Sequence, residues 1–186
     1  MQITSSTFLN YNRKVEMKNK YVVPKLKSRQ EVFDHICRTM QDQEFQLAEA
    51  TPGGKRDEGQ YIAFVGDNGA RSPVGCLFDA KKLDRKINFN SIQGHDTRQI
   101  VFKLIRKAQG LPKDQKLDKK FLMDIEEAGE TLYHDKEKGI DWMHGRADYI
   151  KRMNKLARTY RLKPYEFSDY KFGVVVKNVK KIKKLP

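Results

Sequence analysis

Two histidines and two aspartates fall within eleven residues in the stretch YHDKEKGIDWMHG: His134, Asp135, Asp141 and His144. Imidazole and carboxylate are donors that a divalent ion accepts, and such a set could serve a nuclease. The competing reading is architectural. Asp141 is placed to cap the last helix and Asp135 follows the one before, so the four would flank two helices at an exposed loop. Across all four histidines, His35, His95, His134 and His144, no pair has H-E-x-x-H spacing or sits with a cysteine in a metal-binding arrangement. GDNGARSPVG is rich in glycine but lacks the P-loop lysine and the G-x-G-x-x-G of a dinucleotide turn, so it reads as a hairpin turn. Cys37 and Cys76 lie among apolar neighbours, in HICRTM and VGCLF, with neither the number nor the spacing of a disulfide framework or a zinc site. Both are expected to be reduced and buried. The chain is expected to be non-enzymatic, with no catalytic residues, no metal and no cofactor.

The chemistry that remains is that of positive charge. The chain has 186 residues and a net charge of +14. Residues 1–30 hold seven Lys or Arg against Glu16 alone, and residues 171–186 hold six lysines and no acid, so the two ends carry +12. Residues 31–170 are nearly neutral, with 25 basic and 23 acidic side chains. Blocks of like charge at chain ends repel themselves, extend and bind polyanions. Lys18, Lys20, Lys25 and Lys27 in the first block, and Lys177, Lys180, Lys181, Lys183 and Lys184 in the second, are the candidate phosphate contacts. Tyr11 and Tyr21, and Tyr165, Phe167, Tyr170 and Phe172, could stack on exposed bases or instead fasten the arms to the body.

These residues must be positioned by a body that reads as mainly helical. Ser28 and Glu31 have capping-box spacing ahead of an apolar stripe, Val32, Phe33, Ile36, Cys37 and Met40. The run YIAFV meets the turn Gly66-Asp67-Asn68-Gly69, which predicts a short hairpin; Pro73 limits the return strand, and the alternative is that VGCLFDAKKL leads into a helical turn. A second helix is predicted from Asp96 and Gln99 in cap spacing, with Ile100, Val101, Leu104, Ile105 and Ala108 apolar and Gly110 as its stop. A third places Phe121, Leu122, Ile125, Ala128 and Leu132 on one face and Asp124, Glu126, Glu127 and Glu130 on the other. The last repeats Ile150, Met153, Leu156, Ala157 and Tyr160 until Pro164. Opposite that face, Lys151, Arg152, Lys155 and Arg158 form a basic stripe that could follow a phosphate backbone or pair with the acidic DIEEAGE helix. Alternation in YEFSDYKFGVVVKNV predicts a strand at 173–176, with free lysines beyond it.

The expected fold class is therefore α+β, mainly α: about four helices with a small antiparallel hairpin or sheet, plus basic terminal arms. The expected division is a basic arm over 1–27, one compact domain over 28–172, and a strand with a lysine-rich tail over 173–186. No run is apolar enough for a membrane span and the first residues lack a signal core, so no membrane is expected and the cytoplasm of a host cell, or a virion, is.

The G-D-x-G turn, the VGCLF that follows, and the late helix running from Trp142 to LARTYRL resemble a group of small phage-encoded proteins with A-x-G-C-L-I and W-x-x-x-L-x-x-[IL]-A-x-x-Y-x-L segments. The resemblance covers roughly Ser28 to Leu162. It implies a phage or prophage origin and brings no catalytic residues. The chain departs from the group in having Tyr61 near where a cysteine often stands, a longer insert before the final helix, and both basic arms. The expected function is an accessory protein that binds DNA, RNA or a host nucleoprotein complex such as a ribosome or polymerase. The alternatives are a virion-associated or interaction module that meets acidic protein surfaces, and a small metal-dependent nuclease. Sequence leaves the oligomeric state open.

Overall fold

Ser28 begins the ordered architecture by accepting a hydrogen bond from the Glu31 amide at 3.1 Å, and the Glu31 carboxylate accepts one from the Lys27 amide at 2.7 Å. The two predicted cap residues thus satisfy amides at the start of α1, Arg29–Asp42. The computed structural model describes residues 21–50, 61–79, 82–88, 92–110, 117–137 and 142–168. After α1 come β1 (Glu49–Ala50), β2 (Tyr61–Ile62), a 3-10 turn (Gly75–Leu77), a short α2 (Arg85–Asn88), α3 (His95–Gln109), α4 (Lys119–Glu137) and α5 (Trp142–Thr159). The fold is mainly α, with one small antiparallel strand pair, as its periodicities imply.

The pair is not the predicted hairpin. Tyr61 and Ile62 lie against Ala50 and Glu49, a partner that precedes them. The Gly66–Gly69 turn does form, with Gly69 at φ 81, but it closes only a single bridge, Val65 to Arg71. Past Arg71 the chain dives inward as a loop, with Arg71 to Phe78 buried throughout. The physical reason is that Val74, Cys76, Leu77 and Phe78 are all apolar and at most 1% exposed, so a one-sided strand could not bury them. Packing the loop so tightly demands glycine: a Cβ on Gly75 would stand 1.9 Å from the Phe64 carbonyl oxygen, and one on Gly129 of α4 would stand 2.7 Å from Pro73.

The four longer helices close over this loop. Phe33, Ile36, Cys37 and Met40 of α1 meet Val101, Phe102 and Ile105 of α3, Phe121, Leu122, Ile125, Ala128 and Leu132 of α4, and Tyr149, Met153 and Ala157 of α5 in one core. Two helices are rotated from the predicted setting. In α3, Phe102 is buried and Ile100 is 40% exposed. In α5, Tyr149 is fully buried, and the helix ends ahead of Pro164 by a Leu162 amide to Ala157 carbonyl bond at 2.8 Å, with Arg161 left-handed at φ 54. The start of α3 is Gly94, with no side-chain cap, rather than Asp96 with Gln99.

Short segments at either end of the described chain lie along this body. Tyr21 donates its hydroxyl proton to the Cys76 carbonyl at 2.5 Å, beneath the Arg71 guanidinium 3.8 Å from its ring, and the Leu26 amide donates to Gln109 at 2.8 Å. On the far side, the Lys163 amide donates to Gln30 and the Ser168 amide to Gln41, at 2.8 and 2.7 Å, which seats Phe167 against Phe45 and Tyr149. Among the described residues, packing therefore includes Tyr21, inside the segment read above as an arm. The strand predicted at 173–176 lies outside the described residues.

Candidate nucleic-acid interface

The face that carries charge on α5 is the consequence of the face that does not. Tyr149, Met153 and Ala157 recur every fourth residue and are wholly buried, which turns Lys151, Arg152, Lys155 and Arg158 to solvent, all four exposed. The structure thus brings together the four basic residues that helical spacing had placed on one stripe. With Leu156 and Thr159 they form one wall of a groove of about 680 Å³, whose other wall is Asp124, Glu127 and Ala128 of α4, with Asp148 at one end.

Pairing with the acidic helix was the alternative fate of this stripe, and the contacts go elsewhere. Asp124 is held by Lys120 of its own helix, at 2.8 and 2.9 Å, and by the Tyr160 hydroxyl at 2.6 Å. Burial would raise its carboxyl, but these hydrogen bonds outweigh burial and hold it below the usual range. The Tyr160 hydroxyl moves the opposite way, raised by burial and by Asp124. None of Lys151, Arg152, Lys155 and Arg158 forms an ion pair with a described residue. Glu126, expected on the acidic outer face, instead turns inward and accepts the Val74 amide at 2.7 Å; burial pushes its carboxyl up to about 7.

The remaining predicted contacts separate into two sets. Lys25 and Lys27 are exposed on the segment before α1, with the Lys25 ammonium so close over Gly110 that a Cβ there would lie 2.7 Å from it. That places a cation at the C-terminal end of α3, where the helix carbonyls favour one. Neither lysine lines the α5 groove. Lys18, Lys20, Lys177, Lys180, Lys181, Lys183 and Lys184 lie outside the described residues, as do Tyr11, Tyr170 and Phe172.

The aromatic residues that could have stacked on bases are engaged inward where they are described. Tyr21 is pinned between Arg71 and the Cys76 carbonyl, with its hydroxyl 2.9 Å from His35 Nε2. Tyr165 packs on Phe167 with ring centroids 4.9 Å apart, and Phe167 on Phe45. Among the large apolar and aromatic side chains described, only Val22 and Ile100 are exposed. Among the described residues the surface therefore offers cations without a stacking platform.

Both cysteines are buried free thiols, and burial pushes Cys76 up to about 12 and raises Cys37 further still, so neither is an accessible nucleophile. Side chains of His134, Asp135, Asp141 and His144 lie outside what is described; among the described residues no three potential metal ligands come together. No described helix is long and apolar enough to cross a membrane.

One feature of the surface escaped the sequence reading. A second groove, of about 750 Å³, runs along α3 on the other flank of α4; Arg98, Lys103, Arg106 and Lys119 stand around Ile100, Phe102, Leu117 and Met123. The signal is a row of polar and basic residues at helical spacing, His95, Gln99, Lys103 and Arg106, which the apolar pattern hides because it places Ile100 in the core. No protein-family model, curated protein or solved structure matches this chain.

Proposed function

We propose that the protein is a non-enzymatic accessory protein, of the phage-encoded kind its motifs resemble, that holds nucleic acid by its phosphate backbone. The observation that carries this reading is the row Lys151, Arg152, Lys155 and Arg158, exposed along one helix and without an ion-pair partner among the described residues. Four lysine and arginine side chains along a helix can neutralise successive phosphates and release their counterions, which gives affinity without base reading. The inward packing of Tyr21, Tyr165 and Phe167 adds to this, since it takes these three described aromatics out of the stacking contacts on which single-strand binders depend. A duplex or a structured RNA is thus the favoured ligand over an unstacked strand. The basic ends, from Lys18 and Lys20 to the lysines of 177–184, extend the same electrostatic grip, and a host nucleoprotein complex would offer the same phosphates.

The test is binding of the full chain to a fluorescent duplex and to a single strand of the same length, titrated across salt. Steep salt dependence with a preference for the duplex is expected. Replacing Lys177, Lys180, Lys181, Lys183 and Lys184 with Gln should lower affinity for both ligands alike. Binding that ignores salt would sink the phosphate reading, and a preference for the single strand would point to aromatics outside the described residues.

A further inference from the structure

The groove between α3 and α4 has a different composition from the α5 groove, and it points to a different partner. Its lining positions on α3, His95, Arg98, Gln99, Phe102, Lys103 and Arg106, recur at three- and four-residue spacing, so the groove runs along three turns of the helix, about 16 Å, with Phe102 buried and His95, Gln99 and Lys103 exposed. Among the described residues no carboxylate lines it. Asp96, at its mouth, is held against His95 at 3.2 Å. The apolar residues that line it are Ile100, 40% exposed, the half-buried Leu117 and Met123, and the buried Phe102. Lys119 projects from the opposite wall with its ammonium 5.9 Å from the Phe102 ring centre, and Lys103 is exposed.

A phosphate backbone would use the rim of this groove and gain nothing from its floor. The ligand that uses both is an amphipathic helix, whose apolar residues lie on the floor while acidic residues meet the rim. Charge disfavours the chain's own ends, since residues 1–20 and 171–186 are both net basic, and two copies of a chain of net charge +14 repel each other at long range. We infer that the α3–α4 groove is a docking surface for an acidic amphipathic helix of another protein. This stands on a different observation from the nucleic-acid reading and survives the failure of that reading.

The experiment uses the full chain and two synthetic peptides of identical Leu and Glu composition, one with Leu at i, i+3, i+4 and i+7 and the other scrambled. The amphipathic peptide is expected to bind about 10-fold tighter than its scramble, a difference of about 1.4 kcal/mol. Ile100→Ser should erase that preference, and Lys103→Ala with Lys119→Ala should weaken both peptides; all three side chains are far enough exposed for the fold to survive, which circular dichroism checks. Equal binding of the two peptides would reduce the groove to a patch of charge and overturn the inference. So would absence of binding, or displacement of the peptide by a nucleic-acid duplex. Replacing Lys151, Arg152, Lys155 and Arg158 should leave peptide binding unchanged and alter only the duplex, which separates the two surfaces.

Discussion

α4 is the common wall of two grooves that face different chemistry. Toward α5 it presents Asp124, Glu127 and Ala128 to a row of four cations; toward α3 it presents Lys119 and Met123 to a second cationic row. The two basic helices are similar in charge, yet one row stands opposite carboxylates and the other surrounds exposed aliphatic surface. The lesson is that the opposite wall, more than the helix that bears the charge, decides what a basic face can hold. Mixed polarity tunes an electrostatic surface, whereas a rim whose described residues are cationic, set around apolar atoms, asks for a ligand with apolar atoms of its own.

The largest expected effect removes both grooves at once. Gly75→Ala would drive a methyl group into the Phe64 carbonyl, 1.9 Å away, and dislodge the buried loop beneath α4. A loss of about 3 kcal/mol or more is expected, at the upper end of overpacking in a closed core, read as a fall in melting temperature with loss of both binding activities. A stable Gly75→Ala protein with both activities would show that α4 does not depend on that loop.

Next in size is a change to one groove only. Replacing Lys151, Arg152, Lys155 and Arg158 by Ala should lower duplex affinity about 10- to 100-fold at low salt and flatten the slope of log K against log salt by up to about 3.6, the value for four phosphates. Thermal stability should hold, because the four side chains are exposed. An unchanged slope would assign duplex binding to the basic ends instead.

A third effect tests the seat of α4 without touching the charge of either groove. Glu126 titrates at about 7 in the fold against an ordinary 4.5, so folding favours its neutral form. The stability this brings is complete below pH 4.5 and is lost as pH rises through 7. The wild type should therefore lose up to about 3 kcal/mol over that window relative to Glu126→Gln, whose amide oxygen keeps the bond from the Val74 amide. Parallel melting curves for the two proteins from pH 5 to 8 would place Glu126 in water.

The smallest effect sharpens the comparison directly. Glu127→Gln with Asp148→Asn removes acidic charge from the α5 groove and should raise duplex affinity about 2- to 5-fold at low salt, fading at high salt. The peptide that occupies the α3–α4 groove should bind as before.

Much of this fold was readable where the code is local. The Ser28 cap, the buried stripe of α1, the five apolar positions of α4 and the Gly110 stop all rest on contacts within a turn or two of chain. Reading failed where distant chain decides. Glu126 looked like a solvent-facing acid because its partner, the Val74 amide, is 52 residues away. Gly129 looked like a mild weakness in a helix, whereas Pro73 needs the space that a side chain there would fill. Ile100 and Phe102 are two residues apart on α3, and only the packing of that helix onto the assembled core settles which of them goes inside.

By itself, the sequence determined the helices, the apolar faces of α1 and α4 and the placing of Lys151, Arg152, Lys155 and Arg158 on one stripe, because hydrophobic periodicity and hydrogen bonds within a turn are local physics. Its net positive charge and the basic blocks at its ends followed from composition alone. Tertiary structure decided that the 71–78 loop is core, that the described aromatics turn inward, and that two cationic helices flank α4 with unlike walls. Those outcomes depend on which surfaces must be buried together, and burial is a property of the assembled chain rather than of any segment in it.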